Sequence, residues 1–533
     1  MRKSLSIVAT FVAAAVAACL TSCSSATLGT NQGTGGLNQI ETPPASTVPV
    51  SLTITDDPPA GVSVLFFQVS LTAASLQPTS GSPVSLLPNG TPIQIDVTQL
   101  QALSAFLATA NVPPGSYSSL SLTFANPQLL IFNSSDQSIA ATCAAGSVCQ
   151  LTPAIDNSAT VSLSGSPFPV TVAANSPLGF LIDYHLNTII QPDLSVNLNA
   201  ANGVSVKQLV PPSAPTGPPQ FGAIVGSVTA VNSSLGQFTL TSSDGRAFTV
   251  STSTSTAYDD FPASVCSAAG FSCIAQGQIV QVQVASVQTG GVLLAGQVTY
   301  TQVPSQLTVL GTIVGIPPLP LPAGETMIQL VLHQNPTASA SLPLGAVAQV
   351  AVWAQGTAGH TATTFSIDSG GFTIPSGFTF ASPNDLGVGQ TVQVTIVPGT
   401  LSGPVSTTVI NANGWGPPPA LSFTASGLQL EPSQITGSIS SIGSSSFVLS
   451  SFPAIFLGPW SASAVPNTRQ LTVETTSQTT YQGFTTDSFS GLADNDVVSV
   501  SGWVFPQNGL LTPAIGPPIV VAQTITLHAN SFY

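Results

Sequence analysis

The 533 residues are 43% hydrophobic but only 5% charged, and past the N-terminus no apolar run of about 18 residues escapes Pro, Gly or polar interruption. Neither a helical membrane protein nor a chain disordered throughout fits that composition. Five basic residues face nineteen acidic ones; Arg2 and Lys3 belong to a leader, which leaves three basic against nineteen acidic, a formal charge of −16. Nucleic-acid binding and electrostatic docking on anionic lipid both need clustered Lys and Arg, and both are excluded.

The chain opens with the positive pair Arg2-Lys3 and the apolar stretch Leu5 to Leu20, too short and wrongly flanked for a membrane span. It ends in Leu20-Thr21-Ser22-Cys23, which resembles the lipobox of bacterial lipoproteins. The resemblance implies diacylation of Cys23, which becomes the mature N-terminus; the earlier Val16-Ala17-Ala18-Cys19 makes Cys19 the alternative. Residues 1–23 are thus expected as signal and lipobox, and 24–47, rich in Ser, Thr, Gly, Asn and Pro, as a flexible tether. Several acyl chains give stable membrane anchoring. No Asp follows Cys23, which by analogy with enterobacterial lipoproteins favours the outer membrane within the cell envelope.

Residues 48–209 read as a β-sandwich domain. Val50 to Thr55 alternates as a strand does and stops at Asp56-Asp57-Pro58-Pro59. Val62 to Leu71 is a second strand. Val97 to Ala110 is the helix candidate: Leu100, Leu103, Phe106, Leu107 and Ala110 fall at helical spacing behind a capping Asp96. Val112-Pro-Pro-Gly-Ser-Tyr117 is a tight turn before the strand Leu120 to Phe124. The succession of Thr55-Asp56-Asp57-Pro58, Asp96 to Leu100, and Val112-Pro113-x-Gly115-x-Tyr117, with Phe180-Leu-Ile-Asp183 later, resembles an uncharacterised N-terminal domain of bacterial exported lipoproteins. The Val-Pro-x-Gly-x-Tyr turn also occurs in prealbumin-like sandwiches. That likeness implies two packed sheets with Tyr117 on the core. It carries no activity.

A Pro-rich linker follows at 210–220. Beyond it the sequence repeats loosely. Ile224-Val-Gly-Ser-Val and Phe238-Thr-Leu240 are echoed by Ile435-Thr-Gly-Ser-Ile and Phe447-Val-Leu449. Ile279 to Val284 is echoed by Val497 to Ser501, and a degenerate copy lies between, from Leu310 to Ile316 and Gly389 to Ile396. This order resembles an uncharacterised bacterial repeat, a small OB-like β-barrel. The copies are expected at 221–303, 307–413 and 434–529. The fold class is therefore all-β: a sandwich, then three barrel-like units, with little helix.

Cys143 with Cys149 and Cys266 with Cys273 are close pairs in an exported chain, where disulfides are the default. Neither pair has a neighbouring His or a standard zinc spacing. The sequence holds no H-E-x-x-H, G-x-S-x-G, P-loop or dinucleotide fingerprint, so a non-enzyme is expected. Clustered carboxylates occur at Asp56-Asp57, Asp259-Asp260 and Asp494-Asn-Asp496. They read as Asx turns at strand ends, with calcium the only cofactor worth weighing. Of four Trp, Trp415 and Trp460 sit beside Gly and Pro and are the candidates for stacking on sugar, while Trp503 lies in a strand pattern. The composite expectation is a lipid-anchored envelope protein that binds glycan or protein, or serves as a structural element. The alternatives are a polysaccharide hydrolase or its accessory subunit, and a plain architectural spacer.

Overall fold

Alternation of apolar and polar side chains, not helical spacing, governs the folded part. The computed structural model describes residues 48–527 apart from connecting stretches, among them 210–221, 404–409, 412–420, 458–469 and 507–517. Cys19, Cys23, the tether, the Pro-rich linker, Trp415 and Trp460 lie outside the described residues.

The sandwich packs two sheets. In the first, Val48–Asp57 lies between Ala105–Val112, antiparallel, and Leu178–His185, parallel; Val204–Leu209 completes that side. The second is built on the long pair Ser63–Pro78 and Gly115–Phe132, flanked by Ile93–Asp96, Ser147–Leu151, Thr160–Leu163 and Val170–Val172. Val50, Leu52, Phe180, Ile182 and Tyr184 from one sheet meet Phe67, Val69, Leu71, Leu122, Phe124 and Ile131 from the other. Tyr117 is 2% exposed on this core, and its hydroxyl donates to the Pro113 carbonyl at 2.8 Å. The tight turn expected before it is thereby closed on itself. Cys143–Cys149 and Cys266–Cys273 are both disulfides.

The expected helix at Val97–Ala110 is not formed. Asp96 does cap a turn, accepting the Thr98 N–H, but the turn is a single 3-10 stretch, Val97–Leu100, and Ala105–Val112 is a strand. The reason is burial on both faces. Leu107 enters the sandwich core, while Phe106 on the opposite face joins the core of the first barrel. A strand buried twice loses its alternation and reads like a helix.

Three barrels follow, each closed by the same pairings. In the first, Ala223–Asn232, Gln237–Ser242 and Ala247–Ser251 pair in succession. The third strand then runs parallel to the last, Leu293–Gln302, which pairs with Ile279–Val287, and that strand returns to the first. The middle unit repeats this with Leu307–Gly315, Glu325–Gln334, Val347–Trp353, Leu421–Glu431 and Thr391–Ile396. The last does so with Ser433–Ile442, Ser446–Ser450, Leu471–Glu474, Ile519–Leu527 and Val497–Phe505. A short extra strand adds to the last strand of each: Ala257–Asp259, Thr364–Ile367 and Thr480–Gln482. The middle barrel's last strand ends at Glu431, past the expected limit of 413, because its connection after Ile396 is long.

Small residues explain the shared motif. A β-carbon at Gly226 would lie 2.5 Å from the Thr241 carbonyl oxygen, and one at Gly437 2.8 Å from that of Ser450; Gly311 faces Val331 in the same way. Each glycine lets the first strand coil tightly over the second, just before a break in register. A turn before the fifth strand is held alike in all three copies. The side chains of Gln278, Gln390 and Asp496 accept the backbone N–H three residues earlier, at 2.7, 2.7 and 2.8 Å.

The described residues from 48 onward fall in one compact unit, and apolar clusters cross its domains. Leu65, Phe66 and Leu130, on the outside of the second sandwich sheet, pack with Val331 of the middle barrel and Ile455 and Phe456 of the last. Trp503 and Phe505 of the last barrel join the core of the middle one.

Candidate functional site

Two polar constellations lie where these units meet, and in both the partners are far apart in sequence. The first joins the sandwich to the middle barrel. Asp96 ends a short strand of the second sheet, and its Oδ1 is held by the Thr98 hydroxyl at 2.5 Å and the Thr98 N–H at 3.2 Å. Its Oδ2 lies 2.8 Å from His333 Nδ1, and His333 Nε2 lies 2.9 Å from the Thr312 hydroxyl. A carboxylate only accepts, so Nδ1–H donates to Asp96, and Nε2 shares a hydrogen bond with the Thr312 hydroxyl. His333 and Thr312 point outward from adjacent strands of the barrel, and the Phe66 ring of the sandwich packs 6.2 Å from the imidazole. The order carboxylate, imidazole, hydroxyl is that of a nucleophile relay. Yet the imidazole side chain is 1% exposed and the carboxylate 7%, between two packed units, so the relay serves here as a clamp.

The second constellation joins the first barrel to the middle one. Asp259 ends the short strand Ala257–Asp259 and Asp260 follows it, as Asp368 follows the corresponding strand Thr364–Ile367. Glu431 ends the neighbouring Leu421–Glu431. Asp368 hydrogen-bonds to both Asp260 and Glu431, and Gln297 donates to Asp259 at 2.6 Å. Asp260 is exposed as a residue and takes a left-handed backbone conformation, φ 58°. Burial of its carboxyl, then the charge of Asp368, push it up to about 7. Burial likewise raises Glu431 well above the usual carboxylate range, and burial with the Asp368 charge raises Asp259.

The same Asp368 segment reaches the last barrel. Trp503 donates its indole N–H to the Asp368 carbonyl at 2.8 Å, and Gln478 Oε1 accepts the Thr373 N–H at 2.7 Å. Chemically, the acids share protons.

The other expected sites fall as follows. The main chain of Asp56 and Asp57 ends the first strand. Asp494 is exposed in a turn, and Asp496, 8% exposed, closes that turn by accepting the Ala493 N–H, a backward bond rather than an Asx turn. Among the described residues no group of three or more His, Cys, Asp or Glu is arranged to hold a metal ion. Trp353 is 7% exposed and covered by the His360 ring at 3.4 Å; Trp503 is fully buried, as its strand pattern implied. The sequence reading singled out neither His333 nor Thr312, Asp368 or Glu431. No local signal marks them, since Asp96 and His333 stand 237 residues apart.

Comparison with known families agrees with this division of the chain without assigning a role. No curated protein matches the chain. Residues 47–200 match the family model described as domain of unknown function DUF4382, and residues 225–299 and 436–511 each match that of domain of unknown function DUF5666. The middle barrel shares the pairings of its two neighbours but falls outside the matched ranges.

Proposed function

We propose that this is an exported, lipid-anchored envelope protein whose folded part acts as a rigid, non-enzymatic scaffold, presenting a binding or structural surface at the end of its tether. The observation that carries the reading is the fastening of every unit to its neighbours by polar ties as well as apolar contact. Strand pairing at Ala105 and Ala223, and a bond from the Arg246 guanidinium to the Leu107 carbonyl, tie the sandwich to the first barrel. His333 ties it to the middle barrel, and the Ser63 hydroxyl accepts the Ile455 N–H of the last at 3.2 Å. Gln393 donates to the Thr301 carbonyl between the first and middle barrels, and Gln390 to that of Val504 between the middle and the last. A protein that moved its units around a substrate would not fasten each junction this way.

The two disulfides suit an oxidising compartment, and Cys23 in its lipobox supplies the anchor. Each barrel closes in the strand order first, second, third, last, fifth, which supports the OB-like reading. On such barrels the face of the second and third strands commonly takes oligosaccharides. In the middle unit that face is covered by the sandwich, leaving the first and last units as the candidates for glycan or protein binding.

The test has two arms. Metabolic lipid labelling and membrane fractionation should show an anchored protein that Cys23→Ala releases. A soluble chain starting at Ser24 should resist limited proteolysis as one fragment, and on a glycan array it should bind without cleaving. Turnover of any glycan, or separation into independent barrel fragments, defeats the scaffold reading.

A further inference from the structure

The outer face of the first sandwich sheet holds a buried carboxylate that the fold leaves unsatisfied. Leu178–His185 runs parallel to Val48–Asp57 in unbroken register, from Val50 beside Leu178 to Asp57 beside His185. Phe180, Ile182 and Tyr184 enter the sandwich core. Successive side chains alternate across a strand, so Asp183 and His185 share the opposite face, with Thr55 and Asp57 as their neighbours in register. Ser205 pairs with Asp183 from the other side.

Asp183 is 9% exposed and His185 8%. Asp183 Oδ1 is buried and accepts no hydrogen bond. Among the described residues no cation compensates it: Lys207 on the adjoining strand is exposed and stands in register with Leu181. Buried carboxylate oxygens are otherwise paired, and an unsatisfied one in a native fold signals an ion or a water at that point. The neighbour two positions along the same face is an imidazole, about 6.6 Å away along the strand. That is a spacing at which two side chains can converge on one atom.

We propose that Asp183 and His185 bind a divalent transition-metal cation of the Zn²⁺ type. Mixed imidazole and carboxylate donors select such ions; Ca²⁺ takes an all-oxygen set. The cation neutralises Asp183 where no protein group does. It also fixes the end of Leu178–His185, and through the parallel pairing the end of Val48–Asp57 beside it.

The test uses the full mature chain, free of any affinity tag and stripped with a chelator. Calorimetric titration with Zn²⁺ should show saturable binding near one equivalent, weakened at least tenfold in Asp183→Asn and in His185→Gln, and unchanged in Asp496→Asn. Co²⁺ in place of Zn²⁺ should give visible absorption bands that His185→Gln abolishes. Should either variant fold poorly, hydrogen exchange on the unaltered protein decides the matter. Added Zn²⁺ must slow exchange in Val48–Asp57 and Leu178–His185. No saturable Zn²⁺ binding, a response to Ca²⁺ alone, or protection confined to other strands overturns the proposal.

Discussion

Replacing Asp96 by Ala cuts the clamp between the sandwich and the middle barrel at its most buried point. The His333 side chain is 1% exposed and the Asp96 side chain 7%, so water replaces the lost carboxylate poorly. Removing one partner of a buried, hydrogen-bonded pair costs about 3–5 kcal/mol. At about 1.36 kcal/mol per decade that is a change of at least a hundredfold in the opening equilibrium of the junction. The loss belongs to the junction, because Asp96 contributes no side chain to the sandwich core. A global melt of a body with several units is not two-state, so native-state hydrogen exchange is the better assay. Amides of Glu325–Gln334 and Ile93–Asp96 should exchange at least a hundredfold faster in Asp96→Ala, while those of Leu178–His185 stay within about threefold. In a cycle with His333→Leu, the double variant should cost less than the two single ones together by about 1–3 kcal/mol. Additivity within about 0.5 kcal/mol would mean that the pair is not coupled and would refute the clamp.

Three further outcomes follow from the geometry. Gly226→Ala and Gly437→Ala drive a methyl into a backbone carbonyl and should each destabilise their barrel by about 1–3 kcal/mol in denaturant titration, whereas Gly290→Ala meets nothing within 4 Å and loses only by its positive φ. Asp260, held up to about 7 beside Asp259, Asp368 and Glu431, keeps its proton in the folded protein at pH values where the unfolded chain has released it. Its contribution is therefore full below the unfolded value near 3.8 and is lost as pH rises towards 7. Exchange at the first-to-middle junction should quicken over that range, and Asp260→Asn should flatten the dependence. Replacing Cys143 and Cys149 together by Ala should cost about 2–2.5 kcal/mol by the chain-entropy model, read as faster native-state exchange in Ser147–Leu151; no change would place that loop's constraint elsewhere.

The sequence by itself determined the all-β class, the sandwich followed by three barrels, and the two disulfides. Each of these is written locally. Alternation shows in Val50 to Thr55, closely spaced cysteines can reach one another only across a small loop, and a glycine recurs wherever one strand coils over the next. It misread Val97–Ala110, since a strand buried on both faces shows no alternation. Only the tertiary structure decided how the units stand together, and with that the candidate sites. Asp96 meets His333, Asp260 meets Asp368 and Glu431, and Asp183 stands beside His185 on a face whose register is set by a strand far upstream. Such meetings depend on which outward faces pack together. A sequence shows which residues point outward along a strand, but the surface they meet belongs to another part of the chain.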